Sequence, residues 1–312
     1  MDRMELEGRV RELINHAWDD EVKWSEIDGW VTNFKGDYHS KDQEQLHAIF
    51  SITQYMYFGR RLVREMLKSL FRDHFCSPLK QRIRRNYNNT LDFSLITRVF
   101  KQELESTRFI GVGNPSESGA HLLYYFRQVN GLSKNLFCDL HSIAQVKIEG
   151  SRCSSYDISD ESIKRIVFFD DIVGSGTQAS EYLGRCIQDL KKNRPALDIR
   201  FMSLFSTTEG LTKLNSSKVF NGSAMCLFEL DNTYKCFDDS SRYFQNAPKW
   251  FSLEVMKDVL KKYGEQISSA HPLGYKNGQL LISFSHNTPD NVPPVYWHSG
   301  TWKPAFLRYQ KL

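Results

Sequence analysis

The sequence lacks the features of a membrane-spanning, secreted or zinc-stabilised protein. None of its apolar runs approaches the length that a bilayer-spanning helix needs, and its mixed, acidic amino terminus does not resemble a secretion signal. Its six cysteines are scattered without the paired CxxC spacing of a zinc site, so we interpret them as reduced thiols that fill core space. We therefore expect a cytoplasmic protein that has no membrane partner.

Net positive charge is low overall but concentrated in one stretch. The formal net charge of the 312 residues is +4, whereas residues 60–101 carry eleven Lys and Arg against Glu65, Asp73 and Asp92. That stretch has a balance of +8, which leaves −4 for the rest of the chain. Clustered cations favour a polyanion or an acidic protein as a partner. A solvated helix face explains the same pattern.

Hydrophobic spacing divides the chain into two regions. Six apolar residues after Gly59 recur at helical spacing and predict a buried stripe on a helix over 59–75: Leu62, Val63, Met66, Leu67, Leu70 and Phe71. From about residue 106, short apolar strands alternate with helices, and Ala224–Leu230 and Leu280–Phe284 are expected to add strands. We therefore predict a helical region over 1–105, followed by an α/β domain over 106–312 that ends in a loop-rich tail.

The most informative segment spans residues 163–179. Four apolar residues, Ile166 to Phe169, predict a strand buried on both faces, and Asp170 and Asp171 follow at its carboxyl edge, where ligands of open α/β sheets bind. Gly174, Ser175, Gly176 and Thr177 then form a tight turn that opens a helix. Its N–H groups suit an anion, and the carboxylates suit vicinal hydroxyls or a hydrated divalent cation. The alternative is a strand that ends in a solvated acidic turn.

This segment resembles the motif of type I phosphoribosyltransferases. In that family the acidic pair binds the ribose hydroxyls of phosphoribosyl pyrophosphate, and the following loop binds its 5-phosphate. The resemblance implies these roles, with magnesium, for Asp170 and Asp171 and for the Gly174 to Thr177 turn. Some members carry an acidic residue at the position of Gly174 that acts near the acceptor base, so a general base here must come from elsewhere. The loop is closer to the orotate-type variant, so this difference does not imply loss of binding.

A second strand, loop and helix precede this motif. Phe109–Gly113 predicts a short strand, Asn114–Gly119 a loop, and the residues through Gln128 a helix. The order relative to the acidic motif matches the family's pyrophosphate loop, and Ser116, Ser118 and Gly119 are the expected contacts. An ordinary loop between a strand and a helix explains the same residues.

The carboxyl-terminal tail supplies further candidates. His286, Asn287 and Asp290 lie in a loop that could recognise a base or cap the site, with His286 as an acid–base catalyst or as a hydrogen-bonded structural histidine. The HNTPDN…PPVYW run, the YMYFG segment at 55–59 and the DDIVGSGTQ loop together resemble phosphoribosyltransferase-like proteins of bacterial conflict systems. Some of these are effectors encoded beside retron reverse transcriptases.

These resemblances imply a function as well as a fold. The expected fold is an α/β domain with a mostly parallel sheet of the type I phosphoribosyltransferase kind and a helical N-terminal region. The expected function is a magnesium-dependent phosphoribosyl-transfer effector of anti-phage defence, a toxin restrained by a partner. Stretch 60–101 is the candidate surface for a reverse transcriptase and nucleic-acid complex. A non-catalytic module that senses phosphoribosyl pyrophosphate or a nucleotide, and a base-salvage phosphoribosyltransferase, are the alternatives.

Overall fold

The chain divides into two compact units. The fold is given by a computed structural model that describes residues 2–113, 118–149, 152–158, 160–216 and 218–308. The first unit combines Met1–Val63 with Leu230–Leu312, and the second is Arg64–Glu229. This division differs from the sequence-based boundary near residue 105, because both ends of the chain contribute to the first unit. No helix in the described ranges is both long and apolar enough to cross a membrane.

The helical amino-terminal region and the alternating strands and helices are both present. The α-helices in the described residues are α1 (Arg3–His16), α2 (Trp24–Val31), α3 (Lys41–Ile52), α4 (Arg60–Ser69), α5 (Ser77–Asn86), α6 (Phe93–Glu105), α7 (Ser118–Val129), α8 (Leu140–Ile143), α9 (Thr177–Asn193), α10 (Thr208–Leu214) and α11 (Leu253–Ile267). The strands are β1 (Met56–Phe58), β2 (Thr107–Gly111), β3 (Ala144–Glu149), β4 (Arg152–Ile158), β5 (Arg165–Val173), β6 (Asp198–Thr207), β7 (Ala224–Leu230) and β8 (Ile282–Phe284).

A four-stranded sheet in the order β2-β5-β6-β7 forms the centre of the second unit. Strand β5 pairs in parallel with both β2 and β6. The Phe201 N–H donates to the Ser223 carbonyl, and further along the two strands Phe205 stacks on Phe228, so β6 and β7 also run in the same direction. The predicted fold class, α/β with a mostly parallel sheet, is confirmed. The carboxyl ends of these strands therefore meet at one edge, where loops can build a site.

Helices cover both faces of this sheet because side chains alternate along β5. Phe168 is fully buried in one core cluster with Leu183 and Ile187 of α9. Phe169, the next residue, is also fully buried but contacts Phe126 of α7, with ring centroids 5.0 Å apart. Adjacent strand residues point to opposite faces, so α7 and α9 lie on opposite sides of β5. This two-sided burial explains the continuous apolar run at 166–169.

Strand β5 is longer than the sequence predicts. It continues through both carboxylates to Val173, rather than ending at Phe169. Pairing with β6 explains the extension, because Asp170 pairs with Ser203 and Val173 with Ser206. The acidic pair therefore lies within the second half of the strand, on a backbone fixed by the ladder.

The first unit has its own small parallel pair, β1 with β8. The strand expected over Leu280–Phe284 forms as Ile282–Phe284, but it pairs with β1 instead of adding to the four-stranded sheet. Tyr55 helps to hold β8 in place, since its hydroxyl donates to the Ile282 carbonyl and lies 2.8 Å from the Ser283 hydroxyl. The first unit therefore incorporates the YMYFG segment and the tail as structural partners.

The single helix predicted over 59–75 is interrupted. Helix α4 ends at Ser69, a π-helix covers Leu70–Cys76, and α5 follows directly. Most of the predicted apolar stripe is buried, but the side chain of Leu62 is 37% exposed. The wider π-helical turn shifts the phase of the side chains, so α5 presents Leu79 and Ile83 as its buried residues.

Candidate functional site

The two carboxylates at the end of β5 have different environments. Asp171 is 4% exposed, whereas Asp170 is half-buried. The Asp171 N–H donates to the Asp170 carboxylate over 2.9 Å, and the Ile172 N–H donates to the Asp171 carboxylate over 2.8 Å. As adjacent strand residues, the two side chains lie on opposite faces of the sheet. They therefore lie in different surroundings, and Asp170 is the more accessible of the two.

Asp170 lies beside an unusual hydroxyl. Its partner across the ladder is Ser203 of β6, on the same face of the sheet. Ser203 is fully buried, and its Oγ atom has no hydrogen-bond partner within the described residues. Buried hydroxyls are normally satisfied, so this polar position next to Asp170 is exceptional.

The glycine turn after β5 has a geometry that only glycine supports without strain. Gly176 is in the left-handed region at φ +65°, and it is the N-cap of α9. A Cβ atom at this position would lie 2.9 Å from the Gly210 carbonyl oxygen. Both the backbone angle and the close approach to α10 therefore require the absence of a side chain.

The same turn is attached to the next strand and helix. The Thr207 hydroxyl donates to the Gly174 carbonyl over 2.5 Å and accepts a hydrogen bond from the Gly210 N–H. Gly210 is also constrained, because a Cβ atom there would overlap the Gly174 carbonyl oxygen. The N-cap of α10 thus fixes the conformation of the turn.

A lysine that sequence reasoning missed completes this turn. The Lys213 ammonium donates to Thr177 Oγ1 over 2.9 Å, and the Ser175 hydroxyl donates to the same atom over 3.0 Å. Thr177 is the first residue of α9, where backbone N–H groups and the helix dipole already favour an anion. The predicted residues Gly174 to Thr177 thus form one cradle with a cation from α10. The sequence offered one signal for Lys213. Its helix α10 follows β6, so α10 begins at the same edge of the sheet as α9.

The first predicted loop is only partly within the described residues. Ser116 lies outside them, and Ser118 begins α7. A Cβ atom at Gly119 would lie 2.9 Å from both the Phe169 and the Val112 carbonyl oxygens. Gly119 therefore lets the first turn of α7 approach β5 one residue before Asp170, so the two predicted elements meet.

His286 belongs to the first unit, whereas the carboxylates and the cradle belong to the second. Its ring stacks on Phe284 at a centroid distance of 5.3 Å. Asn287, its neighbour, accepts a hydrogen bond from the Phe284 N–H through its backbone carbonyl. These contacts hold His286 against the end of β8.

Asp170 and Asp171 are the carboxylates that this edge of the sheet offers to a metal ion. No group of three or more His, Cys, Asp or Glu suited to a metal is present in the described part of the chain. Mg²⁺ commonly uses only one or two protein carboxylates, together with substrate phosphates and water. Asp170 or Asp171 could supply such a ligand, whereas a cage made only of protein atoms is not formed by the described residues.

Comparison with known families agrees with this geometry. A family profile described as PRTase-CE matches residues 27–308. The chain belongs to the PRTase-CE family. The match includes the β1 segment, the cradle and most of the tail, so it covers parts of both units. No curated protein matches the chain.

Solved structures similar to this PRTase-CE protein include three phosphoribosyltransferases. The xanthine-guanine-hypoxanthine enzyme of Helicobacter pylori is 15% identical, covers 49% of this chain and 77% of its own, and has a TM-score of 0.27. The orotate enzyme of Aeropyrum pernix is 18% identical, with coverages of 42% and 65% and a TM-score of 0.25. The purine enzyme of Pyrococcus horikoshii Ot3 is 14% identical, with coverages of 57% and 87% and a TM-score of 0.26.

Proposed function

We propose that this PRTase-CE protein binds phosphoribosyl pyrophosphate, or a nucleotide, at the carboxyl edge of the four-stranded sheet and transfers its phosphoribosyl group. The observation that carries this proposal is the cradle itself. A left-handed Gly176, the amino end of α9 and the Lys213 ammonium meet directly after the two carboxylates of β5. An anion site next to acceptors for hydroxyl groups suits a phosphorylated sugar.

Each part of the site has a proposed role. The turn from Gly174 to Thr177 holds the 5-phosphate, and Asp170 and Asp171 accept hydrogen bonds from the ribose hydroxyls. The family resemblance assigns the pyrophosphate to Ser116, Ser118 and Gly119. The bond between ribose C1 and the pyrophosphate oxygen breaks, the pyrophosphate leaves with the electron pair, and the acceptor bonds to C1. Because positive charge develops on C1, positioning and charge stabilisation should contribute most of the catalysis.

Magnesium and proton transfer complete the proposed chemistry. When bound, Mg²⁺ would neutralise charge on the leaving pyrophosphate, and Asp170 or Asp171 would hold its hydration shell or one coordination position. Gly174 cannot act as a base. We propose His286 for proton transfer to or from the acceptor, because imidazole is the side chain best suited to that chemistry near neutral pH.

We further propose that the reaction serves as a toxin in anti-phage defence in the cytoplasm. A partner that contains a reverse transcriptase and nucleic acid would restrain it through stretch 60–101. The support is the resemblance of the DDIVGSGTQ, YMYFG and HNTPDN…PPVYW segments to effectors encoded beside retrons, together with the basic character of this stretch. A non-catalytic sensor with the same site is the second candidate, favoured by the absence of an ionisable group at Gly174.

Calorimetry with phosphoribosyl pyrophosphate and Mg²⁺ tests the site. The double variant Asp170→Asn, Asp171→Asn should abolish binding, because it removes both acceptor charges while keeping side-chain volume. Asp160→Asn is the matched control, since Asp160 is exposed and precedes β5. Unchanged binding by the double variant, with a native circular dichroism spectrum, would refute the assignment.

Two further measurements separate the candidate functions. Release of pyrophosphate by the wild-type protein distinguishes a transferase from a sensor, which binds the donor without turnover. In cells challenged with phage, Asp170→Asn should remove protection if transfer is the toxic reaction. The defence role fails if this variant protects as well as the wild type and if expression without the neighbouring genes is harmless.

A further inference from the structure

The turn between α5 and α6 carries an unusual concentration of exposed apolar side chains. Leu91 is 81% exposed and Phe93 76%, two of the three highest values for large hydrophobic residues in the described chain, and Tyr87 is 45% exposed. These three residues lie within seven positions of one another. We refer to them, with Arg85, Arg98 and Lys101, as the hairpin tip. Contiguous exposed apolar groups with a polar rim are typical of protein interaction sites.

The hairpin does not need these side chains for its own stability. Its core is made by Leu79 and Ile83 of α5 and Ile96 of α6, each at most 8% exposed. Asp92 caps α6 by accepting hydrogen bonds from two backbone N–H groups of its first turn. The packing of α5 against α6 therefore uses other residues, and it gives no reason for the exposure of the apolar side chains of the tip.

Most cations of stretch 60–101 already have partners in the protein, which narrows the surface that a ligand would use. Eight of the eleven are engaged: Arg60 with Glu21, Arg61 with Asp19, Arg64 with the Tyr125 ring, Lys68 with Glu65, Arg72 with Asp73, Lys80 with the Phe100 ring, Arg82 with Glu103 and Asp198, and Arg84 with the Thr90 carbonyl.

The three remaining cations all belong to the hairpin tip. Arg85, Arg98 and Lys101 are exposed, and no interaction engages their side chains within the described ranges. Arg98 and Lys101 are three residues apart on α6, so they share its exposed face. Asp92 is the acidic residue of the turn, and it is used as the helix cap. The exposed apolar residues and the unpartnered positive charges therefore coincide in one part of the chain.

We propose that the hairpin tip binds a protein segment that combines apolar side chains with Asp and Glu. The charges require a negatively charged partner, which a nucleic acid would also provide. Phe93 and Tyr87 offer rings on which a base can stack, but the most exposed residue of the tip is the aliphatic Leu91. An aliphatic side chain gains binding free energy by entering an apolar pocket, which a protein partner supplies and a nucleic acid does not. Leu91 and Phe93 would enter an apolar pocket of the partner, and the three cations would pair with carboxylates at its rim. This deepens the proposed function, because it names the protein component of the restraining complex as the occupant.

Site-specific cross-linking tests this proposal in cells that also express the neighbouring genes. A photoreactive phenylalanine analogue replaces Leu91 in one strain and Met4 in another; Met4 is the control, since it is 78% exposed in the first unit. We expect position 91 alone to cross-link to one protein, through a peptide rich in Asp and Glu. A cross-link to nucleic acid, equal cross-linking from both positions, or no adduct at position 91 would overturn the proposal.

Binding of the purified cross-linked protein provides the second measurement. The double variants Leu91→Ser, Phe93→Ser and Arg98→Glu, Lys101→Glu should each raise its dissociation constant at least tenfold, whereas Arg9→Glu on α1 should not. Added NaCl should weaken binding to the wild type and have less effect on the charge-reversal variant. Equal affinities of the partner for all variants would refute the hairpin tip as its binding surface.

Donor binding separates this proposal from the proposed function. The hairpin-tip variants should bind phosphoribosyl pyrophosphate as the wild type does. If the partner binds the tip but no donor binding is detected, the phosphoribosyl site is wrong and the hairpin tip stands. If the donor binds, and the partner binds the hairpin-tip variants as tightly as the wild type, the hairpin tip is wrong and the phosphoribosyl site stands.

Discussion

The Nζ atom of Lys213 lies 2.9 Å from Oγ1 of Thr177, although 36 residues separate them in the sequence. Thr177 opens α9 after β5, and Lys213 lies on α10 after β6. Because β5 and β6 are parallel neighbours, their following helices begin at the same edge of the sheet. This topology brings a positive charge to the amino end of α9.

Lys213→Met should weaken the binding of ribose 5-phosphate about tenfold or more, since a charge-assisted hydrogen bond contributes roughly 1.5–3 kcal/mol. Calorimetry at low salt measures the effect, and Lys213→Arg should restore part of it. Lys192→Met, at the exposed last turn of α9, is the control. Equal affinity for ribose 5-phosphate in the Lys213→Met protein and the wild type would show that this cation does not meet the phosphate.

Gly176→Ala should lower the free energy of unfolding by about 1–3 kcal/mol and impair donor binding. Alanine at φ +65° is strained, and its Cβ would press against the Gly210 carbonyl. Gly184→Ala in the same helix has open space around its Cβ and should instead stabilise α9 by up to about 1 kcal/mol. Urea denaturation compares the two variants; a result in which both behave alike would contradict the proposed constraint on the turn.

Acid stability should depend on Asp198. Partial burial opposes its ionisation, but hydrogen bonds from Arg200 and Arg165 outweigh that effect and lower its pKa from 3.8 to about 2. A carboxyl with a depressed pKa stabilises the fold above the unfolded value and loses that contribution as the pH falls from about 4 to 2.

Asp198→Asn should therefore lower the free energy of unfolding at pH 7 by about 3 kcal/mol, because it leaves the buried Arg165 with one fewer charged partner. The variant should also lose less stability than the wild type between pH 4 and 2. Denaturant titrations at several pH values measure both effects, with Asp239→Asn as an exposed control. Parallel pH profiles of Asp198→Asn and the wild type would rule out this role.

The first unit should lose stability as the pH falls below 6.5 because of His47. Burial, the largest cause, lowers the pKa of this imidazole from 6.5. Its Nε2 accepts a hydrogen bond from the Ser252 N–H, and its Nδ1 lies 2.7 Å from the Gln43 carbonyl, an arrangement that needs the neutral ring. The unfolded chain takes up the proton first, so the stabilisation is complete above pH 6.5 and declines below it.

Thermal unfolding between pH 7.5 and 5.5 measures this decline. His47→Gln should be less stable at pH 7.5 but should change less over the range than the wild type. His16→Gln, at the exposed end of α1, should follow the wild type. A wild-type midpoint that rises as the pH falls would contradict the role of His47.

Local sequence was sufficient to predict the core of the site. The apolar run at 166–169, the carboxylate pair and the glycine turn are contiguous, so their strand, edge and turn follow from side-chain polarity and backbone freedom. The same reasoning missed Thr207, Gly210 and Lys213, whose contribution depends on which strand lies beside β5. It also placed the strand at 280–284 in the main sheet and not beside β1, because pairing between distant segments leaves no local signal.

The prediction of interactions between charged residues from sequence has the same limit. The sequence identified the +8 balance of residues 60–101. Only the fold distinguished Arg82, paired with Glu103 and Asp198, from Arg98, which has no partner among the residues that the structure describes. Composition counts charges, whereas pairing depends on side chains that folding brings within a few ångströms of each other.

The sequence alone therefore determined the alternation of strands and helices, the position of the acidic pair and the need for glycine after it, because these depend on neighbours along the chain. Only the tertiary structure decided which cation joins the cradle, which strand β8 pairs with and which charges stay unpaired. Those outcomes depend on the order of strands in the sheets and on the packing of helices from distant segments, since hydrogen bonds and ion pairs form only over short distances.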